Sequence, residues 1–354
     1  MEFLVEYGLF LAKAITIVIA IGAIVVLIVS AGQRGGGRSK KGHIEVTRIN
    51  EYYTALRDTL REAVLSDEQL KNYAKQEKKR LKKEQSEEKK AQKSASEQEN
   101  THKKRLYILN FNGDIKASAT VNLKEEITTL LSLATDRDEV VVRLESGGGM
   151  VHSYGLAASQ LARITKKNIP LTVCVDKVAA SGGYMMACVA DKILAAPFAV
   201  IGSIGVVAQL PNFHRLLKKN NVDFELLTAG EHKRTLTIFG ENTDKGREKF
   251  LEELEDTHDL FKTYVHEHRE QVDIGKVATG EVWFGRRAIE HKLIDDIQTS
   301  DEYITSYQDD ADIFEIEYVH KKSLPEKLGL VAAQSVDRLL LVWWERLQSA
   351  RFFS

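Results

Sequence analysis

The chain of 354 residues balances 50 basic against 51 acidic side chains, for a formal net charge of −1, and 43% of it is hydrophobic. Charge this even argues against nucleic acid as the main partner, because phosphate recognition draws on a clustered basic surplus, and the apolar content allows one large or two moderate cores. Cys174 and Cys188 are the two cysteines, both in apolar surroundings, which reads as core packing and not as a disulfide framework or a metal site.

From Gly8 to Ser30 the chain is almost continuously Ile, Val, Leu and Ala, broken near its start by Lys13. As a helix this stretch reaches roughly 34 Å, enough for a hydrocarbon layer of about 30 Å, so the lipid bilayer is its expected partner. Glu2 and Glu6 precede it where a signal peptide carries basic residues. An uncleaved anchor over 1–33 is therefore favoured, with cleavage at Val29-Ser30-Ala31 as the alternative. Arg34, Arg38, Lys40, Lys41 and Arg48 crowd the C-terminal flank, which by the positive-inside rule leaves the remainder cytoplasmic.

Gly35-Gly36-Gly37 forms a flexible joint, and residues 47–67 carry a weak helical period through Tyr52, Tyr53, Leu56, Leu60 and Val64. From Asp67 to Lys104 nearly every residue is Lys, Arg, Glu, Gln, Ser or Ala, with Tyr73 and Leu81 the main apolar exceptions. Such a segment buries too little to fold alone and is either a solvated helix or a disordered tether. Residues 34–104 are thus expected to be a charged spacer.

At Arg105 the pattern becomes globular. Leu106–Phe111, Val140–Leu144 and Leu171–Val175 are expected as buried strands, with helices over 123–133 and 154–166 between them. The alternation predicts an α/β domain with largely parallel strands over 105–320. The apolar run Ala187–Ala208 is not a second span, since Asp191, Lys192 and Pro197 would be costly in lipid; a helix, turn and strand passing through a core account for it. A long charged helix is expected over 244–270, and Val282-Trp283-Phe284-Gly285 opens a last α/β portion ending near Asp296. Residues 321–354, with Leu339-Leu340-Leu341-Val342-Trp343-Trp344, form an amphipathic segment suited to a membrane interface or, with more weight, a neighbouring subunit.

Three glycine turns follow apolar strands: Ser146-Gly147-Gly148-Gly149, Ser181-Gly182-Gly183 and Gly202-Ser203-Ile204-Gly205. No Gly-Lys-Ser/Thr follows, which rejects a Walker-type phosphate loop, but together the turns offer backbone N–H groups to a developing oxyanion. Ser181, between a strand and a helical segment, reads either as a helix cap or as a nucleophile. Ten histidines are present, and none sits in a setting that announces a Ser-His-Asp triad; His152, His214 and His291 are most economically surface or turn residues. His266 and His268 fall on different faces of a helix, and no zinc motif occurs. Lys233, flanked by His232 and Arg234, reads either as a solvated lysine or as a base whose pKa a neighbouring cation lowers.

The run Ala179-Ala180-Ser181-Gly182-Gly183-Tyr184-Met185-Met186-Ala187, the later Ile201-Gly202-Ser203-Ile204-Gly205-Val206 and the Lys233 segment closely resemble the signal peptide peptidase A family of serine proteases. Ser203 lies 22 residues and Lys233 52 residues beyond Ser181, as in that family. The similarity is strong from Arg105 to about Asp296 and extends to the anchor, the spacer and the aromatic tail. It implies a ClpP/crotonase-like fold and a Ser-Lys dyad, in which Ser181 attacks a peptide carbonyl and Lys233 is general base and then general acid. Ser203 matches the serine that orients the lysine, and Gly149 and Gly182 match the donors of the oxyanion hole. Gly147 stands where the family usually has proline, so a looser turn is expected there.

The resemblance further implies a bacterial inner-membrane endopeptidase acting on extended, apolar peptides such as signal-peptide remnants or damaged proteins, with no cofactor and a ring-like homo-oligomeric assembly. Members of the family are generally placed on the outer face, against the flanking charge, so the side of the membrane stays open. Two other classes remain at this level: an acyl-CoA hydratase or isomerase of the same fold, and a non-enzymatic membrane scaffold.

Overall fold

The computed structural model describes residues 42–94, 103–230 and 232–320, with Lys13 and Thr16 alone before them. The chain divides into a unit of residues 44–318 and a second of 1–43 with 319–354. The second unit lies almost wholly outside the described residues, and the architecture below is that of the first. The expected anchor over 8–30 (apart from Lys13 and Thr16) and the amphipathic segment 321–354 lie outside the described residues. Among those that are described, no helix is long and apolar enough to cross a bilayer.

The described residues form a mixed α/β fold. Ten strands make one sheet: β1 (His43–Arg48), β2 (Arg105–Gly113), β3 (Glu139–Ser146), β4 (Leu171–Val175), β5 (Val178–Ala180), β6 (Lys192–Ala195), β7 (Val200–Gly202), β8 (Val282–Phe284), β9 (Asp296–Ile297) and β10 (Asp312–Val319). The main path runs β1-β10-β2-β3-β4-β6-β9, while β5, β7 and β8 branch from the end of β3. Pairing is parallel from β10 to β9 and antiparallel between β7 and β8.

β2 reads as a continuous apolar run because it is covered on both faces. Tyr107, Leu109 and Phe111 face one cluster, with the helices Thr120–Leu130, Val151–Thr165 and Gly182–Ala187; Leu106 and Ile108 face the other, with Tyr303, Ile304 and Ile49. Helix Val151–Thr165 fits its face by spacing: Tyr154, Ala157, Ala158, Leu161 and Ile164 are buried, the stripe that a 3.6-residue period turns toward one side. Helix Asp244–His268 begins at a Thr243 cap that accepts the Gly246 N–H at 3.1 Å. The Arg269 guanidinium after it, 3% exposed, is held by Asp295 at 2.7 Å, and Asp295 also accepts the Ile193 N–H of β6.

The folded unit starts earlier than Arg105. His43–Arg48, expected within the spacer, is a strand beside β10, and the next helix, Ile49–Val64, seats Ile49 in the core. Asn50 fastens it: its side chain donates to the Gln308 and Ala311 carbonyls and accepts the Ile313 N–H at 2.7 Å. Beyond the α/β portion expected to end near Asp296 come the helix Ser300–Ser306 and β10. Of the two forms open to the charged stretch, residues 67–94 are a helix, whose described side chains are exposed apart from half-buried ones such as Leu70 and Tyr73.

Two buried carboxylates show how differently the fold treats charge. Burial opposes the charge of Asp138, but the hydrogen bonds from Arg105 and Thr135 outweigh it and hold that carboxyl below the usual range. Among the described residues no cation pairs with Glu126; burial pushes its carboxyl from 4.5 up to about 7, offset in part by the Tyr318 N–H, which donates to it at 2.9 Å. Because the folded protein holds this proton more tightly than the unfolded chain, the stability it contributes is full below pH 4.5 and is lost as pH rises through about 7. Glu126→Gln is expected to be more stable than the parent at pH 8 and to match it near pH 4.5, with a gap of up to roughly 3 kcal/mol, in thermal or urea unfolding across that range.

Candidate active site

The three glycine turns converge because of strand register. Ser146 at the end of β3 pairs with Ala179 of β5, and Ala180 of β5 pairs with Gly202 of β7, all parallel. The residues that follow, Gly147, Ser181 and Ser203, therefore leave the sheet side by side at its carboxyl edge, where open α/β sheets place their sites. β4 makes this possible by ending at Val175, which frees the last residue of β3 for β5.

Ser181 sits at φ 52°, ψ −119°, just before the buried helix Gly182–Ala187. A side chain in the left-handed region costs on the order of 1–3 kcal/mol, and such strain persists only where the surroundings over-determine it. Here its N–H donates to the Gly202 carbonyl at 2.7 Å and its carbonyl accepts the Met185 N–H at 3.0 Å. The backbone is thus clamped on both sides. Ser203 is held likewise, at φ 53°, with its N–H on the Glu281 carbonyl at 2.6 Å.

Among the described residues neither the Gly149 nor the Gly182 N–H has a hydrogen-bond acceptor. The turn carrying Gly149 is nonetheless fixed. Gly148, at φ 87°, donates its N–H to Ser146 Oγ at 3.1 Å, and Met150 donates to the Ile115 carbonyl at 2.9 Å. A Cβ on Gly148 would come within 2.7 Å of the Gly182 nitrogen, so only glycine lets the two turns approach. At Gly147, the site of the expected loose turn, a Cβ would meet no atom within 4 Å; hydrogen bonds fix the turn in place of a proline ring.

Lys233 is placed differently. It is exposed, its N–H lies on the Gly230 carbonyl at 3.2 Å, and among the described residues no hydrogen bond joins its Nζ to Ser181 or Ser203. It belongs to the largely irregular segment 203–243, which exposes Val207, Phe213, Phe224, Leu227 and Phe239. The strand register therefore brings together the turns that carry Ser181, Ser203, Gly149 and Gly182, while among the described residues no hydrogen bond ties Lys233 to them.

Other nucleophiles and bases are accounted for elsewhere. Cys174 and Cys188 are free and buried; burial pushes the Cys174 thiol up to about 12 and Cys188 upward too, so neither is a thiolate near neutrality. His268 binds the Tyr264 carbonyl at 2.8 Å, His291 packs on Trp283, and His258, which the sequence does not single out, lies 3.3 Å from the Ile204 carbonyl. Among the described residues no histidine is bonded to Ser181. Ser146, Tyr154 and Glu281, which brace the turns, are also not singled out by the sequence; the serine opening the first glycine turn is the available signal.

Residues 2–161 match the family described as Peptidase family S49 N-terminal, and residues 163–313 match Peptidase family S49. The chain is 50% identical over 339 residues to the "Probable protease SohB" of Haemophilus influenzae, covering 96% of each chain. It is 48% identical over 306 residues to the protein of the same name from Buchnera aphidicola subsp. Schlechtendalia chinensis, covering 86% of this chain and 100% of that one. Among solved structures it is similar to a membrane-bound stomatin-specific protease in complex with a substrate peptide, at a TM-score of 0.38 and 14% identity, over 64% of this chain and 96% of that one. The chain belongs to peptidase family S49. It is a protease.

The strain at Ser181 is open to measurement. Ser181→Gly removes the Cβ that the left-handed backbone penalises, whereas Ser181→Ala keeps it, so the glycine variant is expected to melt a few degrees above the alanine variant, about 1 kcal/mol in stability. Equal melting temperatures would show that the backbone there is unstrained.

Proposed function

We propose that the protein is a membrane-anchored serine endopeptidase of ClpP/crotonase-like fold, with Ser181 as nucleophile, Lys233 as general base and then acid, and Ser203 orienting the lysine. The observation that carries the proposal is the clamped, strained Ser181 flanked by acceptor-free N–H groups at Gly149 and Gly182. Ser181 Oγ attacks the scissile carbonyl while the neutral Lys233 amine takes its proton. The new oxyanion accepts hydrogen bonds from Gly149 and Gly182, and the lysine returns the proton to the leaving amine. Water, deprotonated by the same amine, then hydrolyses the acyl-enzyme and frees Ser181.

A lysine serves as a base only where it is dry or beside another cation. A single chain leaves Lys233 in solvent, on a segment whose exposed Val207, Phe213, Phe224, Leu227 and Phe239 provide an apolar surface for another copy. Assembly of a homo-oligomer is therefore the step that covers this segment and completes the dyad, with Lys233 of one copy serving Ser181 of its neighbour. Substrates are extended, apolar peptides, such as signal-peptide remnants or damaged exported proteins, gripped by strand addition beside the turns. A cavity of about 520 Å³ lined by Val282, Trp283, Phe284 and Arg287 adjoins the Ser203 turn through Glu281 and supports the apolar preference. Residues 8–30 hold the enzyme on the bacterial inner membrane.

Hydrolysis of casein or an apolar peptide by the full chain tests this. Ser181→Ala and Lys233→Met are each expected to lose on the order of 10³-fold or more in kcat. Mixing the two inactive variants during assembly restores a fraction of the activity if the dyad forms between copies. Full activity in either single variant contradicts the dyad, and no recovery on mixing contradicts its formation between copies.

A further inference from the structure

The two halves of the oxyanion hole come from different elements, yet one side chain underlies both. Tyr154 is fully buried on helix Val151–Thr165. Its hydroxyl donates to the Asp114 carbonyl at 2.7 Å and lies 2.6 Å from Ser146 Oγ. A phenol has one proton, and a carbonyl cannot donate, so the proton between Tyr154 and Ser146 belongs to the serine. Ser146 Oγ in turn accepts the Gly148 N–H at 3.1 Å. The result is a directed chain from Gly148 N–H to Ser146 hydroxyl, to Tyr154 hydroxyl, to the Asp114 carbonyl, each bond polarising the next.

This chain fixes the peptide entering Gly148, and therefore the direction of the Gly149 N–H one peptide further on. The ring of the same tyrosine packs under the other donor, where a Cβ on Gly182 would overlap Tyr154 Cγ. The room for the chain is also specified, since a Cβ on Gly113 would overlap both Ser146 Oγ and the Tyr154 hydroxyl oxygen. The loop after β2 joins the same brace, with Ile115 accepting the Met150 N–H at 2.9 Å.

We infer that Tyr154, acting through Ser146, is a positioning residue that holds the Gly149 and Gly182 N–H groups in the geometry of the tetrahedral intermediate. The inference rests on the reading of Ser181 as nucleophile and adds to it the group that sets the hole. Because the hole matters most when negative charge has developed on the carbonyl oxygen, its misalignment acts on kcat and leaves ground-state binding nearly unchanged.

The test is steady-state kinetics and thermal unfolding of the full chain carrying Tyr154→Phe, which keeps the ring under Gly182 and removes the hydroxyl, with Ser146→Ala as the second variant should the first not fold. Each is expected to lower kcat by about 10- to 100-fold with KM within about twofold of the parent, and to weaken a peptide aldehyde, which mimics the tetrahedral adduct, by a similar factor. The double variant is expected to lose no more than the worse single one, since both cut the same chain. A folded Tyr154→Phe protein with parental kcat overturns the inference, as does a loss shared equally by kcat and KM or one that follows the fraction unfolded. Ser181→Ala, measured alongside, separates the two claims: activity retained there contradicts the nucleophile, whereas an inactive Ser181→Ala beside a fully active Tyr154→Phe contradicts the brace alone.

Discussion

The site depends on two backbone pairings, Ser146 with Ala179 and Ala180 with Gly202. Parallel register makes the residues beyond each pair emerge together, so the three turns are neighbours by construction. A one-residue slip in β5 would exchange its faces and turn Ser181 away from the edge. The register is in turn secured by the core beneath it, where Ala179, Ile201 and the whole Gly182–Ala187 helix are buried.

Given that placement, hydrogen bonds fix the turns around Ser181 but do not reach Lys233 among the described residues. Ser181 is clamped through Gly202 and Met185, and the Gly149 turn through Ser146 and Ile115, so the proposed nucleophile and oxyanion donors would be preorganised. Preorganised donors in a desolvated site give the largest share of rate enhancement in many enzymes, because nothing need reorganise as charge develops. Lys233, the proposed base, lies on an exposed segment, and among the described residues no hydrogen bond joins it to Ser181.

How much of this the sequence discloses depends on burial. β2, β3 and β4 are covered on both faces, and their apolar runs stand out; β4 is found at Leu171–Val175, as the pattern has it. β1 and β10 lie at the rim, where Arg48, Asp312, Glu315 and Glu317 interrupt the apolar signal, and neither strand is legible in the sequence. Ser181 and Ser203 are visible through the glycines their turns require. Tyr154 is not, because at helical spacing a tyrosine whose hydroxyl braces a turn looks like one that fills a core. Lys233 carries no signal of its own, because one lysine among 50 basic residues reads as solvated.

The central claim is that Ser181 becomes acylated, and the most direct measurement is peptide mapping by mass spectrometry after acid quench of the enzyme turning over a p-nitrophenyl ester of an apolar peptide. The account predicts the acyl mass on the fragment containing Ser181, about one per active site, and its absence from Ser181→Ala. Ester hydrolysis with the acyl group on another residue, or undiminished in Ser181→Ala, would contradict it.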